Sequence, residues 1–312
     1  MTTSNAPNST SNDGVWSPSG ASRRTKIVRG IIGLALFVLA IAAVALSGPS
    51  THETLARLGS VPPFIIVIVL ALPVLNLLLT GMSFHALTRR FGYVGVREML
   101  ALITAAFVLN FLPLRPGLFG RVAYHKKFNG IRVRDSARVI VESIACSAIA
   151  MGLLLFTLIL ARIYPQAAVG FIGMCTLMLV IARFHAMSEQ MPKLAAYSLA
   201  TLIKLVDTLV WASRYWLVFW MLGKPIKPLE SVALAVVANA ASLVPLSGNG
   251  MGLREWAIGL VAASFPRDQA TRLVVETGLS ADLVNRAAEF AVAICIGIPA
   301  VIWVSRRVAR EP

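Results

Sequence analysis

The chain has 312 residues, 57% apolar and 14% charged, with a formal net charge of +15. Soluble domains are about one quarter charged, and at a mean hydropathy of +0.76 a water-soluble globule would have nowhere to bury so much apolar surface. This excludes the soluble class and identifies a polytopic, all-α membrane protein. The 29 Lys and Arg sit in short loops between apolar runs. Membrane topology accounts for that placement, which is not the aromatic-interleaved basic face of a nucleic-acid binder, so no nucleic-acid partner is expected.

Residues 1–26 read as a disordered cytoplasmic tail, rich in Ser, Thr, Asn, Pro and Gly. Arg23, Arg24, Lys26 and Arg29 precede an apolar run over 31–47. The tail ahead of it and the runs behind it favour an uncleaved first helix over a signal peptide. Further runs cover 61–80, 138–161, 166–182, 194–222 and 281–304, each near or above the roughly 17–25 residues a spanning helix needs. Two other runs are broken. The one over 99–114 ends in Asn110, Pro113, Arg115, Pro116 and Gly117; the one over 231–265 is interrupted by Pro245, Gly248, Gly250 and Gly252. Proline removes a backbone donor and glycine frees the backbone, so neither is one straight helix. The expected fold is six full spans plus two re-entrant broken hairpins, countable as eight transmembrane helices. A cytoplasmic tail over 306–312 follows a single transmembrane domain over 27–305.

With that topology, 19 Lys and Arg fall on one side, six on the other and four within apolar segments. The asymmetry places both termini in the cytoplasm of a multi-pass protein of the plasma or inner membrane. Each half, 27–163 and 166–305, then reads as span, span, broken hairpin, span. Three crossings per half is odd, so the halves insert in opposite orientation as an inverted repeat. Paired Gly/Pro interruptions in opposed halves are the sequence pointer to a transporter's binding site.

At these breaks the sequence resembles the flippase-like transmembrane family also named for lysylphosphatidylglycerol synthase. The stretch from Leu243 through Pro245, Gly248, Gly250 and Gly252 to Arg254 and Glu255 is close to that family's proline–glycine–Gly-x-Arg-Glu signature. The first break, from Asn110 through Pro113, Arg115, Gly117 and Gly120 to Arg121, matches a second hallmark less well. Leu118 stands where members usually carry an acid, and Ser143 stands where an arginine is expected beside Glu142. Arg286 in the last span also fits. The resemblance implies movement of a lipid or lipid-linked headgroup between leaflets. Members often carry a fused aminoacylating domain, for which the residues after Trp303 leave no room, so a tRNA-dependent synthase is not expected.

Charges inside a membrane are costly, roughly 2.5–3.5 kcal/mol at the bilayer centre on insertion scales, so each needs a reason. Lys204, Asp207 and Arg214 share a helical face and make an internal network geometrically available. Arg254 and Glu255 open the half-helix after the second break, whose free N–H groups suit a phosphate or carboxylate; Gly248, Gly250 and Gly252 allow close approach, and Arg254 adds a bidentate grip. Arg115 and Arg121, flanking Gly117, offer the matching grip at the first break. Glu142 is a partner for an arginine of that break, and Arg286–Glu289 neutralise each other at offset three.

Cys146, Cys175 and Cys295 lie singly in apolar runs and the four histidines are dispersed, so no metal or cofactor is expected. The expected function is a non-enzymatic lipid flippase or transporter acting on a phospholipid, an aminoacyl-phospholipid or a polyprenyl-phosphate sugar. The alternative is a membrane partner subunit that presents lipid to a separate synthase or glycosyltransferase.

Overall fold

The computed structural model describes residues 23–46, 59–112, 115–161, 163–164, 166–184, 192–244, 248–266 and 273–310. Pro113, Pro245 and most of the N-terminal tail lie outside the described residues. Among those described, the chain is helical throughout and forms no strand. The helices are α1 (Arg23–Leu46), α2 (Pro63–Thr88), α3 (Val96–Leu109), α4 (Pro116–Phe128), α5 (Val133–Leu160), α6 (Ala167–Phe184), α7 (Lys193–Met221), α8 (Pro228–Leu243), α9 (Leu253–Ala263), α10 (Val275–Val292) and α11 (Ile298–Arg310). A π-turn over Ala293–Gly297 joins the last two into one continuous rod.

Among the described residues, four segments are long and apolar enough to cross a membrane: Pro63–Thr88, Val133–Leu160, Lys193–Met221 and Val275–Arg310. Shorter apolar stretches occupy Leu34–Ala45, Val169–Ile181 and Pro228–Leu243. Four of the six runs expected to span fall in the long segments, and the other two, 31–47 and 166–182, in the shorter stretches; the protein is a multi-pass membrane protein. α2 shows why such helices need lipid. It starts on Pro63, where a missing N–H costs nothing, carries no Asp, Glu, Lys or Arg, and exposes Phe64, Val67 and Leu78.

α7 is the axis of the molecule. Half of its most apolar stretch is buried, against 28% in each of the other three crossing segments. Its broadest packing is on α2, with α5, α6 and α8 ranged around it and α10 closing the group. Tyr215, Val218 and Phe219 of α7 are fully buried in the main apolar core, with Leu234 of α8, Ile258 of α9 and Ala281 of α10.

Both sequence breaks are breaks in the structure. α3 and α4 have 14 and 13 residues, α8 and α9 have 16 and 11, all short of the ~20 residues a bilayer crossing takes. At the first break Arg115 adopts a left-handed backbone (φ 50°) and Pro116 starts α4. Gly117 lets α4 lie directly on α3, since a Cβ there would fall 2.7 Å from Ala106 Cα. At the second, Asn249, Gly250 and Gly252 all have positive φ.

Candidate functional site

A cavity of about 300 Å³ lies where the two breaks meet. Asn110, Arg115, Leu118 and Arg121 face it from the first break, and Asn249 and Arg254 from the second. Lys204, Asp207, Trp211 and Arg214 of α7 line it, with Glu289 of α10 and the polar Asn76 and Thr80 of α2. Arg115 ties the breaks together directly. Its Nη2 donates to the carbonyl oxygens of Ser242 (2.9 Å) and Val244 (3.0 Å) at the end of α8, the carbonyls a helix terminus leaves unsatisfied.

Behind the cavity lies a buried ion network centred on Glu289. Arg214 Nη2 donates to its carboxylate at 2.8 Å, Arg254 Nη1 at 3.0 Å and Arg286 Nη1 at 3.2 Å. Arg254 Nε donates to Asp282 at 2.8 Å, and the Tyr215 hydroxyl donates to the other oxygen of that carboxylate at 2.6 Å. Arg286 Nε donates to Glu255 at 2.9 Å. All three guanidinium groups are at most 1% exposed, so only direct pairing keeps them charged in such a place. The α7 charges connect to this network through α2. Lys204 Nζ lies 3.4 Å from Asp207, the Asn76 amide donates to Asp207 at 2.6 Å, and Arg214 Nη1 donates to the Asn76 oxygen at 3.3 Å.

Several residues singled out by sequence take different surroundings from those expected. Glu255 caps its own helix, accepting from the Gly252 N–H at 2.7 Å, so the N-terminus of α9 is served by a carboxylate of the chain. Arg254 reaches back to α10 for two carboxylates. Gly250 serves packing, for a Cβ there would meet Ser242 Cα at 2.9 Å. Glu142 is not joined to the first break: Arg90 pairs with it, Arg138 Nε donates to it at 2.9 Å and the Tyr197 hydroxyl at 2.6 Å. The first-break arginines lie elsewhere, one on the α8 carbonyls and one stacked on Phe84. Arg286 and Glu289 do pair at offset three, but Glu255 is the closer partner of Arg286.

Asp282, Asn285, Asn76 and Tyr215 belong to the site and were not singled out from the sequence. The signal for two of them was present: Asp282, Asn285, Arg286 and Glu289 recur at helical spacing on one face of α10, a polar stripe in an otherwise apolar segment.

Helical crossing segments around a polar, ion-lined interior define the class, a multi-pass membrane protein with a charged interior. The particular family follows from its sequence profile: residues 30–297 match the family described as Lysylphosphatidylglycerol synthase TM region, and the chain belongs to it. No curated protein and no solved structure matches the chain.

Proposed function

We propose that the protein carries a lipid headgroup between the two leaflets, with the cavity at the junction of the two breaks as its binding site. The single observation that carries this reading is the convergence of both interrupted segments on one ion-lined space inside a membrane domain. Non-helical backbone at membrane depth is tolerated where it is buried in protein or lines a wet cavity. Transporters built from inverted halves place their substrate sites at such interruptions. In this reading α3–α4 and α8–α9 are re-entrant hairpins of opposed halves, both termini face the cytoplasm, and the membrane is the plasma or inner membrane. The site works by binding and not by bond-making, since its carboxylates are already engaged by arginine, lysine and asparagine.

α5 and α8 touch over little of their length, yet Ser147 and Met151 of α5 and Ser242 and Leu243 of α8 all line the cavity. That seam is the lateral passage through which a headgroup enters while its chains remain in lipid.

The test is reconstitution of the purified protein into liposomes with headgroup-labelled lipids, followed by quenching of the outer leaflet. Label becoming fully quenchable supports transport. No movement of phospholipid, aminoacyl-phospholipid or polyprenyl-phosphate analogues by folded protein would overturn it in favour of a subunit that presents lipid to a separate enzyme.

A further inference from the structure

Among the described residues, the buried Lys and Arg side chains have carboxylate partners with a single exception. Lys204 has Asp207, and Arg214, Arg254 and Arg286 share Glu289, Asp282 and Glu255. The exception is Arg121 of α4, which is 5% exposed. Its guanidinium lies 3.8 Å from the centre of the Phe84 ring, and no described carboxylate comes within ion-pairing distance of it. The aromatic face offsets part of the desolvation of a cation, but not the missing counter-charge.

Arg121 borders two spaces. On one side, against Thr88, His125 and Ser136, is a niche of about 10 Å³, no larger than one water occupies. On the other is the main cavity, with Leu118, one helical turn earlier on α4, on the same wall. Of these two spaces, only the cavity admits an anion of phosphate size to Arg121. The cavity's own carboxylates, Asp207 and Glu289, are committed to other cations. Ile144 and Leu243, 42% and 41% exposed, also line the space and carry its apolar wall to the outer surface.

We infer that the cavity takes a lipid headgroup bearing one uncompensated negative charge, a phosphodiester, with Arg121 as its counter-ion, and that it discriminates against headgroups of net positive charge such as lysyl-phosphatidylglycerol, whose two ammonium groups outweigh its phosphate. The inference rests on the reading of the cavity as a headgroup site and names the substrate class. A phosphodiester offsets the charge of Arg121, while Arg115, which also lines the cavity, is engaged by the Ser242 and Val244 carbonyls. An added ammonium group meets a surplus cation and no free carboxylate, and like charge at such a site is rejected more strongly than a missing contact.

The experiment reads binding, so its failure is distinct from failure of transport. Full-length protein in detergent is titrated with phosphatidylglycerol, with lysyl-phosphatidylglycerol and with inorganic phosphate, and complexes are counted by native mass spectrometry. Wild type should prefer phosphatidylglycerol by roughly 10- to 100-fold, the effect of one charge-assisted contact. Arg121→Gln should abolish the preference and Arg121→Lys should keep most of it. Leu118→Glu, which sets a carboxylate one turn from Arg121, should weaken phosphatidylglycerol and strengthen the lysyl lipid, and it decides the matter if Arg121→Gln does not fold. Equal binding of both lipids by wild type, or an unchanged preference in folded Leu118→Glu, would overturn the inference. Inorganic phosphate binding as tightly as the lipid would overturn the lipid assignment. Binding without translocation would sink the transport reading and leave this one standing.

Discussion

Glu289 is the residue on which the interior depends. Three guanidinium groups from α7, α9 and α10 converge on one carboxylate. Removing its charge leaves three buried cations facing Asp282 and Glu255 alone. Breaking a buried pair by removing one partner costs about 3–5 kcal/mol, because the remaining charge has no water to return to. Glu289→Gln is therefore expected to lower the unfolding temperature in detergent well below that of Asp207→Asn, whose carboxylate serves a single lysine. Equal losses would show that the three arginines do not act as a unit. Tyr215→Phe removes one donor to Asp282 and leaves the Arg254 pair intact, so it should cost about 1–3 kcal/mol, the smaller effect of an unmade hydrogen bond. The same network shows what sequence spacing reports. Lys204 with Asp207 and Arg286 with Glu289 were legible because partners at offset three lie on one helix face. The stripe that holds Asp282 could be read from its spacing, but the pairing of Asn76 with Asp207 and the α9–α10 pairings could not, because spacing along one helix carries no information about what another helix brings to it.

At the scale of elements, proline and glycine made the breaks legible, since both act on the local backbone whatever surrounds them. That the two breaks join was not legible: it depends on Arg115 reaching 127 positions along the chain to the Ser242 carbonyl. The run read over 281–304 likewise proves longer, Val275–Arg310, because the π-turn with Gly297 set against Val108 continues the rod. Gly117 is the pivot of the first hairpin. Gly117→Ala pushes a methyl into the backbone of α3 at Ala106, so the hairpin must open or shift. The expected result is lower headgroup movement with the Glu289 network, and hence most of the thermal stability, retained. Loss of both together would mean that the α3–α4 hairpin belongs to the folding core. The α5–α8 seam has its own test. Ser147→Trp fills the cavity wall at that seam and should slow lipid movement, while Val141→Trp, on the exposed side of α5, should leave it unchanged. Equal effects would remove the seam from the path.

For the whole molecule the relevant quantity is where charge is left over. Lys204, Arg214, Arg254 and Arg286 are matched by Asp207, Asp282, Glu255 and Glu289, so the entire net charge of +15 lies outside that core, in the first break, the loops and the ends. Charge placed there is free to set orientation, because loops rich in Lys and Arg are retained on the cytoplasmic side. The turn between α4 and α5 is flanked by Lys126, Lys127, Arg132 and Arg134, and α11 ends with Arg306, Arg307 and Arg310. An ion pair from Arg307 to Glu98 of α3, at 3.5 Å, sets the start of the first hairpin beside the C-terminal helix. In the transport reading the turn between α7 and α8, which carries only Lys224 and Lys227, faces the opposite side. In a variant lacking Cys146, Cys175 and Cys295, a single cysteine replacing Asn129 should be shielded from an impermeant thiol reagent in intact cells and labelled only after lysis. One replacing Lys224 should be labelled without lysis. Both labelled alike from outside would reverse the charge argument, and with it the opposed orientation of the two hairpins on which the transport reading depends.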